Sequence, residues 1–230
     1  MASYLHQDGD HLKLQRMASE KLLHLQRNLM RHSSAILLVA VSMSLMGCAT
    51  HSLDHYLGHY QIQNPEVGGF TVCKSYGCKK TSWLSYTDAE WESIRAIFTP
   101  APVRADQERD RIRRAIGKME QIIGSKNDTG RDNARNKIRG AQGNQLDCIA
   151  EATNTTVALL LLEKEGLLRF HQTAAPQHRG FLQLQGPHHS ASIIELGNGN
   201  HYAVDSWFHA GGKEPEIVTV EAWKSGFDPD

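Results

Sequence analysis

The chain has 230 residues and an even balance of charge, 25 Lys/Arg against 25 Asp/Glu, so its formal net charge is zero with histidines neutral. That balance gives no electrostatic footprint for nucleic acid. No internal repeat divides the sequence, and the part expected to fold, about 180 residues, fits one domain with a real core.

The first feature in chain order is an apolar run from Ile36 to Met46, behind Arg27 and Arg31. It is too short for a membrane-crossing helix, which needs roughly 20 apolar residues, and it has the proportions of a signal-peptide core. The run ends in Leu45-Met46-Gly47-Cys48, which resembles the lipobox of bacterial lipoproteins. The resemblance implies cleavage before Cys48, lipid on Cys48, and the membrane as a partner through that lipid. Asp8, Asp10 and Glu20 are odd in an export signal, whereas a start at Met30, or second at Met17, gives a compact one. Residues 1–47 are therefore read as a lipoprotein signal peptide with an upstream start-site extension, and are left out of the fold argument. The rival reading is one membrane helix or amphipathic helix over residues 11–46. Residues 1–47 hold five Lys/Arg and three Asp/Glu, so the remainder has 20 basic and 22 acidic residues and a net charge of −2. Ala49 stands where an aspartate would signal inner-membrane retention. For a Gram-negative source the expected location is the outer membrane, facing the periplasm.

Four cysteines occur, at 48, 73, 78 and 148. With Cys48 lipidated, three remain in an oxidising compartment. Cys73-Lys-Ser-Tyr-Gly-Cys78 is a short loop with Gly77 to ease the turn, and it suits a local disulfide. The alternative is half of a metal site, but no second pair exists to complete it. Cys148 is then left over, either a free reactive thiol or an inert buried one.

Residues 48–70 read as lipid anchor and tether. His51, His55 and His59 fall on one face of any helix there. Asp54 is the only nearby carboxylate and Gly58 argues against a stable helix, so a metal is the lesser reading and no cofactor is expected.

Residues 71–230 read as one α+β domain. Its helical part covers residues 87–124. Thr87-Asp88-Ala89-Glu90 is a capping box opening a helix through Phe98, which Thr99-Pro100-Ala101-Pro102 stops. A second helix runs from about Ala105 to Ile123 on the stripe Ile112, Ile116, Met119 and Ile123, with Gly124 as its left-handed cap. Residues 125–147 form a long polar loop, of a length that is functional or disordered in most domains. Cys148 to Glu165 is a helix apolar nearly all round, hence buried, and Gly166 caps it. Leu167 to His171 reads as a strand, and Pro176 to Gly186 as a turn-rich link. His188–Leu196 and His201–Phe208 flank Gly197-Asn198-Gly199-Asn200, a hairpin signal. Ile217–Val220 is a last strand, and Glu221–Gly226 closes the domain with Trp223.

These elements put a cysteine at the start of a buried helix, histidines at the start of one strand and an aspartate at the end of the next. The free amides and partial positive charge of a helix N-terminus favour a thiolate and can hold an oxyanion. A histidine on the neighbouring strand can take the thiol proton, and an aspartate beyond it can fix that histidine's tautomer. The candidates are Cys148 as nucleophile, His188 or His189 as base and Asp205 as orienter. Strand neighbours point to opposite faces, and His201 is a third option for the base by parity with Asp205. Asn154, Thr155 and Thr156 weaken the helix by propensity; packing against the strands and hydrogen bonding to the polar site both stay open.

The order Cys148, His188, Tyr202-Ala203-Val204-Asp205 resembles transglutaminase-like proteins, within the papain-like fold. Asp205-Ser206-Trp207 looks like the Asn-Ser-Trp of papain-like peptidases. Gln142, six residues before Cys148, looks like the glutamine that completes their oxyanion hole, with Gln145 in competition. The resemblance covers roughly residues 140–208. His189 has the papain-like spacing to Asp205, whereas Pro187-His188-x-Ser190-Ala191 is similar to a group of proteobacterial lipoproteins and favours His188. What this implies is an envelope thiol hydrolase or acyl-transferase acting on peptide or amide bonds, or a catalytically inactive relative of the same fold that binds or scaffolds. The sequence selects no particular peptide or protein substrate.

Overall fold

The computed structural model describes residues 53–136, 144–180 and 187–229, all within one unit, Ala49–Asp230. The calls on Cys48, His51, Gln142 and the signal region lie outside the described residues. Among the described residues the fold is α+β, with two antiparallel sheets and helices around them. No helix among them is long and apolar enough to cross a membrane.

Helix α1 covers residues 53–59, and the turn behind it leads to Ile62. Leu53, Leu57 and Ile62 are buried in the main core. This corrects the expectation of a tether: the spacing of Leu53 and Leu57 supplies an apolar stripe that outweighs the helix cost of Gly58. His55 and His59 lie on the exposed side.

Strands β1 (Phe70–Cys73) and β2 (Thr81–Leu84) pair antiparallel, Phe70 opposite Leu84 and Cys73 opposite Thr81. Between them a 3-10 turn, Tyr76–Cys78, lets Cys73 and Cys78 form a disulfide with Cα atoms 4.7 Å apart. Helix α2 (Asp88–Arg95) opens on the expected capping box. The amide of Glu90 donates to Thr87 Oγ1 (3.3 Å), and the amide of Thr87 to Glu90 Oε2 (2.8 Å).

Helix α3 (Ala105–Asn127) buries Ile112, Ile116, Met119 and Ile123 as its stripe requires. It runs past Gly124, which is not its cap. Asp128 takes the left-handed conformation instead (φ 64°). Gly124 is small for another reason: a Cβ there would stand 2.6 Å from the Cα of Gly130, so helix and following loop touch backbone to backbone.

Helix α4 (Cys148–Lys164) is the centre of the domain. Asp147 caps it, Oδ1 accepting the amide of Ala150 at 3.0 Å. Twelve of its residues are buried, from Ala150 through Leu162, which matches a helix apolar nearly all round. The polar residues inside it are all partnered. Asn154 exchanges two hydrogen bonds with the backbone of Cys73, Thr155 bonds Ser206 and Thr156 bonds the carbonyl of Ala152. Gly166, with φ 70°, turns the chain out of it.

The second sheet has the order β3-β4-β5-β6, all neighbours antiparallel. Strand β3 is His171–Arg179, so it begins where the expected strand ended and takes up part of the expected link. Two causes account for the shift. The amides of Arg169 and Phe170 donate to the buried carboxylate of Glu108 rather than to a ladder. Pro176 falls in the register break between Ala174 and Gln177, on an edge strand, where a missing N–H is tolerated. Strands β4 (His188–Glu195) and β5 (His201–Asp205) form the expected hairpin, closed by Gly199 at φ 74°. β5 stops at Asp205 because the side chain of Asp205 accepts the amide of Trp207 (3.2 Å) and turns the chain. Strand β6 (Glu216–Thr219) leads directly into α5 (Val220–Lys224), whose Trp223 is fully buried. Ala191, Ile193 and Val204 pack with α4 in the main core.

Candidate active site

His188 opens β4, and Asp205 closes β5 one strand away. Their side chains leave the sheet on the face opposite Ala191 and Val204, which the antiparallel register pairs. His188 Nε2 lies 2.6 Å from Asp205 Oδ2, and both side chains are buried. The same Oδ2 accepts the indole N–H of Trp223 at 2.7 Å, while Oδ1 accepts the amide of Trp207. Asp205 is therefore held by three donors from three segments. His188 sits among aromatic rings, with centroids 4.5 Å from Trp207, 5.5 Å from Trp223 and 5.6 Å from Phe208. Its Nδ1 is buried and has no hydrogen-bond partner among the described residues. A carboxylate only accepts, so Nε2 carries the proton in this bond, and in the neutral ring Nδ1 is the acceptor.

Cys148 is the first residue of α4 and is partly exposed. It packs on the cluster formed by Ala203, Trp207, Phe208 and Trp223, two of whose indoles flank His188. Burial pushes the thiol up to about 11, with the carboxylates of Asp147 and Asp205 adding to the rise and the His189 amide opposing it. The helix terminus therefore does not make the resting group a thiolate, as its amides alone led us to expect. A thiol in this state requires a base to take its proton as it reacts.

The structure separates the competing histidines. His189 does not meet Asp205; its ring stands 6.2 Å from that of His178 on the opposite strand, and burial lowers its pKa. The ring of His201 bonds Ser192 Oγ at 2.9 Å instead. Gln145 is also withdrawn. Its carbonyl oxygen accepts the amide and side chain of Asn133, and its amide donates to the carbonyl of Arg131. Gln142 lies outside the described residues. Among the described residues no group of three histidine, cysteine or acidic side chains is arranged to hold a metal ion.

Behind the site lie three carboxyl groups that sequence reasoning missed. Glu151, one turn into α4, is buried with Asp132 and with Glu120 of α3, whose Oε2 accepts the amide of Gly212 while its Oε1 has no hydrogen-bond partner among the described residues. Burial raises all three, Glu120 to about 7 and Glu151 well above its ordinary range, and mutual repulsion adds to the rise at Glu120 and Glu151. Asp132 Oδ1 also accepts the amide of Leu146, two residues before Cys148. The signal for Glu151 was present: a helix buried on every side buries any acid within it. Trp223 carried no such signal, because its bond to Asp205 joins segments that share no periodic pattern.

Comparison with protein-family models, with curated proteins and with solved structures finds no match to this chain.

Proposed function

We propose that the chain is a thiol hydrolase or acyl-transferase of the bacterial envelope, with a papain-like, transglutaminase-like core and a lipid anchor on Cys48. One observation carries the reading: the 2.6 Å bond from His188 Nε2 to Asp205, which leaves Nδ1 of a buried histidine as an unoccupied acceptor in the cluster that holds Cys148. In this reaction the Cys148 sulfur attacks the carbonyl carbon of an amide while its proton passes to His188 Nδ1. The carbonyl electrons move onto oxygen, where the free amides at the start of α4 stabilise them. Collapse breaks the C–N bond, and the amine leaves with the proton from His188. The thioester is then resolved by water, giving the acid, or by a second amine, giving a new amide. Either attacker returns its proton through His188, and Asp205 stabilises the imidazolium in both halves. Envelope peptides, peptidoglycan stems included, are the substrates within reach of such an anchor.

The test is labelling by an acyl-amide thiol electrophile, read by mass spectrometry on the folded domain. Cys148→Ala abolishes labelling and His188→Ala slows it about a hundredfold or more. Equal labelling of wild type and Cys148→Ala sinks the proposal. A binding or scaffolding role is the second reading. It is favoured by the burial that holds the thiol at about 11, and it requires labelling indifferent to His188 and Asp205.

A further inference from the structure

We infer that Trp223 is a positioning residue for the Cys148–His188–Asp205 reaction, acting through Asp205 to fix the tautomer of His188. The inference rests on the functional reading above, but its first readout does not require turnover. Trp223 comes from α5, outside the hairpin that carries His188 and Asp205, and its side chain is completely buried. Its indole N–H and His188 Nε2 converge on one oxygen, Asp205 Oδ2, at 2.7 and 2.6 Å. Indole only donates. It therefore occupies one lone pair of Oδ2 at every pH and fixes the carboxylate plane, leaving the other lone pair directed at Nε2. Without the indole, the Trp207 amide alone pins the carboxylate through Oδ1, so Oδ2 can swing away from Nε2 and His188 can place its proton on Nδ1, the position that disables it as a base.

The position of Trp223 is itself secured. Arg179, opposite His188 in the β3–β4 register, donates from Nη1 to the carbonyls of Trp223 and Phe227, the latter at 2.9 Å. Its guanidinium lies 4.7 Å from the centre of the Trp223 ring, a cation–π contact. Arg135 holds the segment beyond, through Asp228 at 2.6 Å and the carbonyl of Pro229. Two arginines thus press the C-terminal segment against the pair it orders.

The experiment uses the domain with 15N-labelled histidine. In the wild type, the His188 nitrogens report a single Nε2–H tautomer at pH 8. In Trp223→Phe, which keeps a ring but lacks the N–H, they report a mixture, and electrophile labelling of Cys148 falls about tenfold, the effect of one charge-assisted hydrogen bond. Adding Asp205→Asn to Trp223→Phe produces no further loss beyond Asp205→Asn alone. A folded Trp223→Phe with a single unchanged tautomer overturns the inference. Should Trp223→Phe fail to fold, Arg179→Gln takes its place, since it loosens the clamp from a partly exposed position; an unchanged tautomer and pH profile in that variant overturns it equally. If Cys148 shows no chemistry but Trp223→Phe mixes the tautomers, the functional reading fails while the positioning role stands.

Discussion

Asp147 joins two elements through one atom: its Oδ1 accepts the amide of Ala150 at the start of α4 and the amide of Gly77 in the disulfide loop. The residue immediately before the thiol is thus both a helix cap and the dock for the Cys73–Cys78 turn. Asp147→Ala leaves both amides without their acceptor and is expected to cost about 2 kcal/mol in denaturant unfolding. Asp147→Asn, which keeps an acceptor oxygen, recovers most of that loss.

The Cys73–Cys78 bridge closes only a short loop. Replacing both cysteines with serine is expected to lower stability by about 2 kcal/mol, through loop closure in the unfolded chain. The domain still folds, because Asn154 holds the backbone of Cys73 from both sides. Unfolding of the double variant by urea, with and without reductant, checks this; a reductant effect that persists in it overturns the assignment.

Glu108 and His171 form the second buried pair, 2.9 Å apart, and Arg109 bridges His171 to Glu195. Glu108 also accepts the amides of Arg169 and Phe170. Glu108→Ala leaves all three donors without their acceptor, the His171 ring in the core and the two amides part-buried at its margin. A loss of about 3–5 kcal/mol and a fall in Tm on the order of 10 °C are expected. Calorimetry that finds the variant within one degree of wild type refutes this account.

The buried carboxyls make stability depend on pH in a stated direction. Glu120 is raised from 4.5 to about 7 in the fold, and Glu151 is raised well above 4.5. The folded state therefore binds more protons than the unfolded state between these values. Stability is fully present below about pH 4.5 and declines as pH rises through 7. Glu120→Gln and Glu151→Gln are expected to flatten that decline and raise Tm at pH 8, by about 3 °C per kcal/mol of relieved repulsion. Parallel curves for wild type and variants across pH 5 to 8 would exclude the effect.

Alkylation of Cys148 by a small electrophile is expected to rise with a midpoint at about pH 11, above the free-cysteine value of about 8.5. Asp205→Asn removes one of the charges that raise the thiol, so the midpoint falls in that variant. An unchanged or higher midpoint contradicts the arrangement.

Much of this was legible in the residues. The Thr87–Glu90 box, the α3 stripe, the wholly apolar α4 and the Gly197–Asn200 turn are local patterns, and local patterns fix local structure. The His188–Asp205 bond was within reach because a hairpin fixes which strand ends face each other, although parity alone left His189 and His201 in contention. What failed was long-range. Leu167–His171 has strand-like residues, but Glu108, 61 positions before Arg169, takes the amides of Arg169 and Phe170. Glu108 itself lies four residues before Ile112 on the buried stripe, so its burial could have been read; its partners could not. Gly124 had the composition of a cap but serves close contact with Gly130, six residues on, a backbone approach that no helical or strand period encodes.

The bulge at Pro176 has one more consequence. It removes a donor from the middle of β3, one outer edge of the four-stranded sheet, and the other edge, β6, offers four residues before α5 begins. An extended peptide laid along either side therefore meets an interrupted or very short ladder. Neighbouring copies have little along this sheet with which to zip themselves together. On the proposed reading, an incoming polypeptide is then selected by side chains around Cys148 rather than by its readiness to become another strand of this sheet.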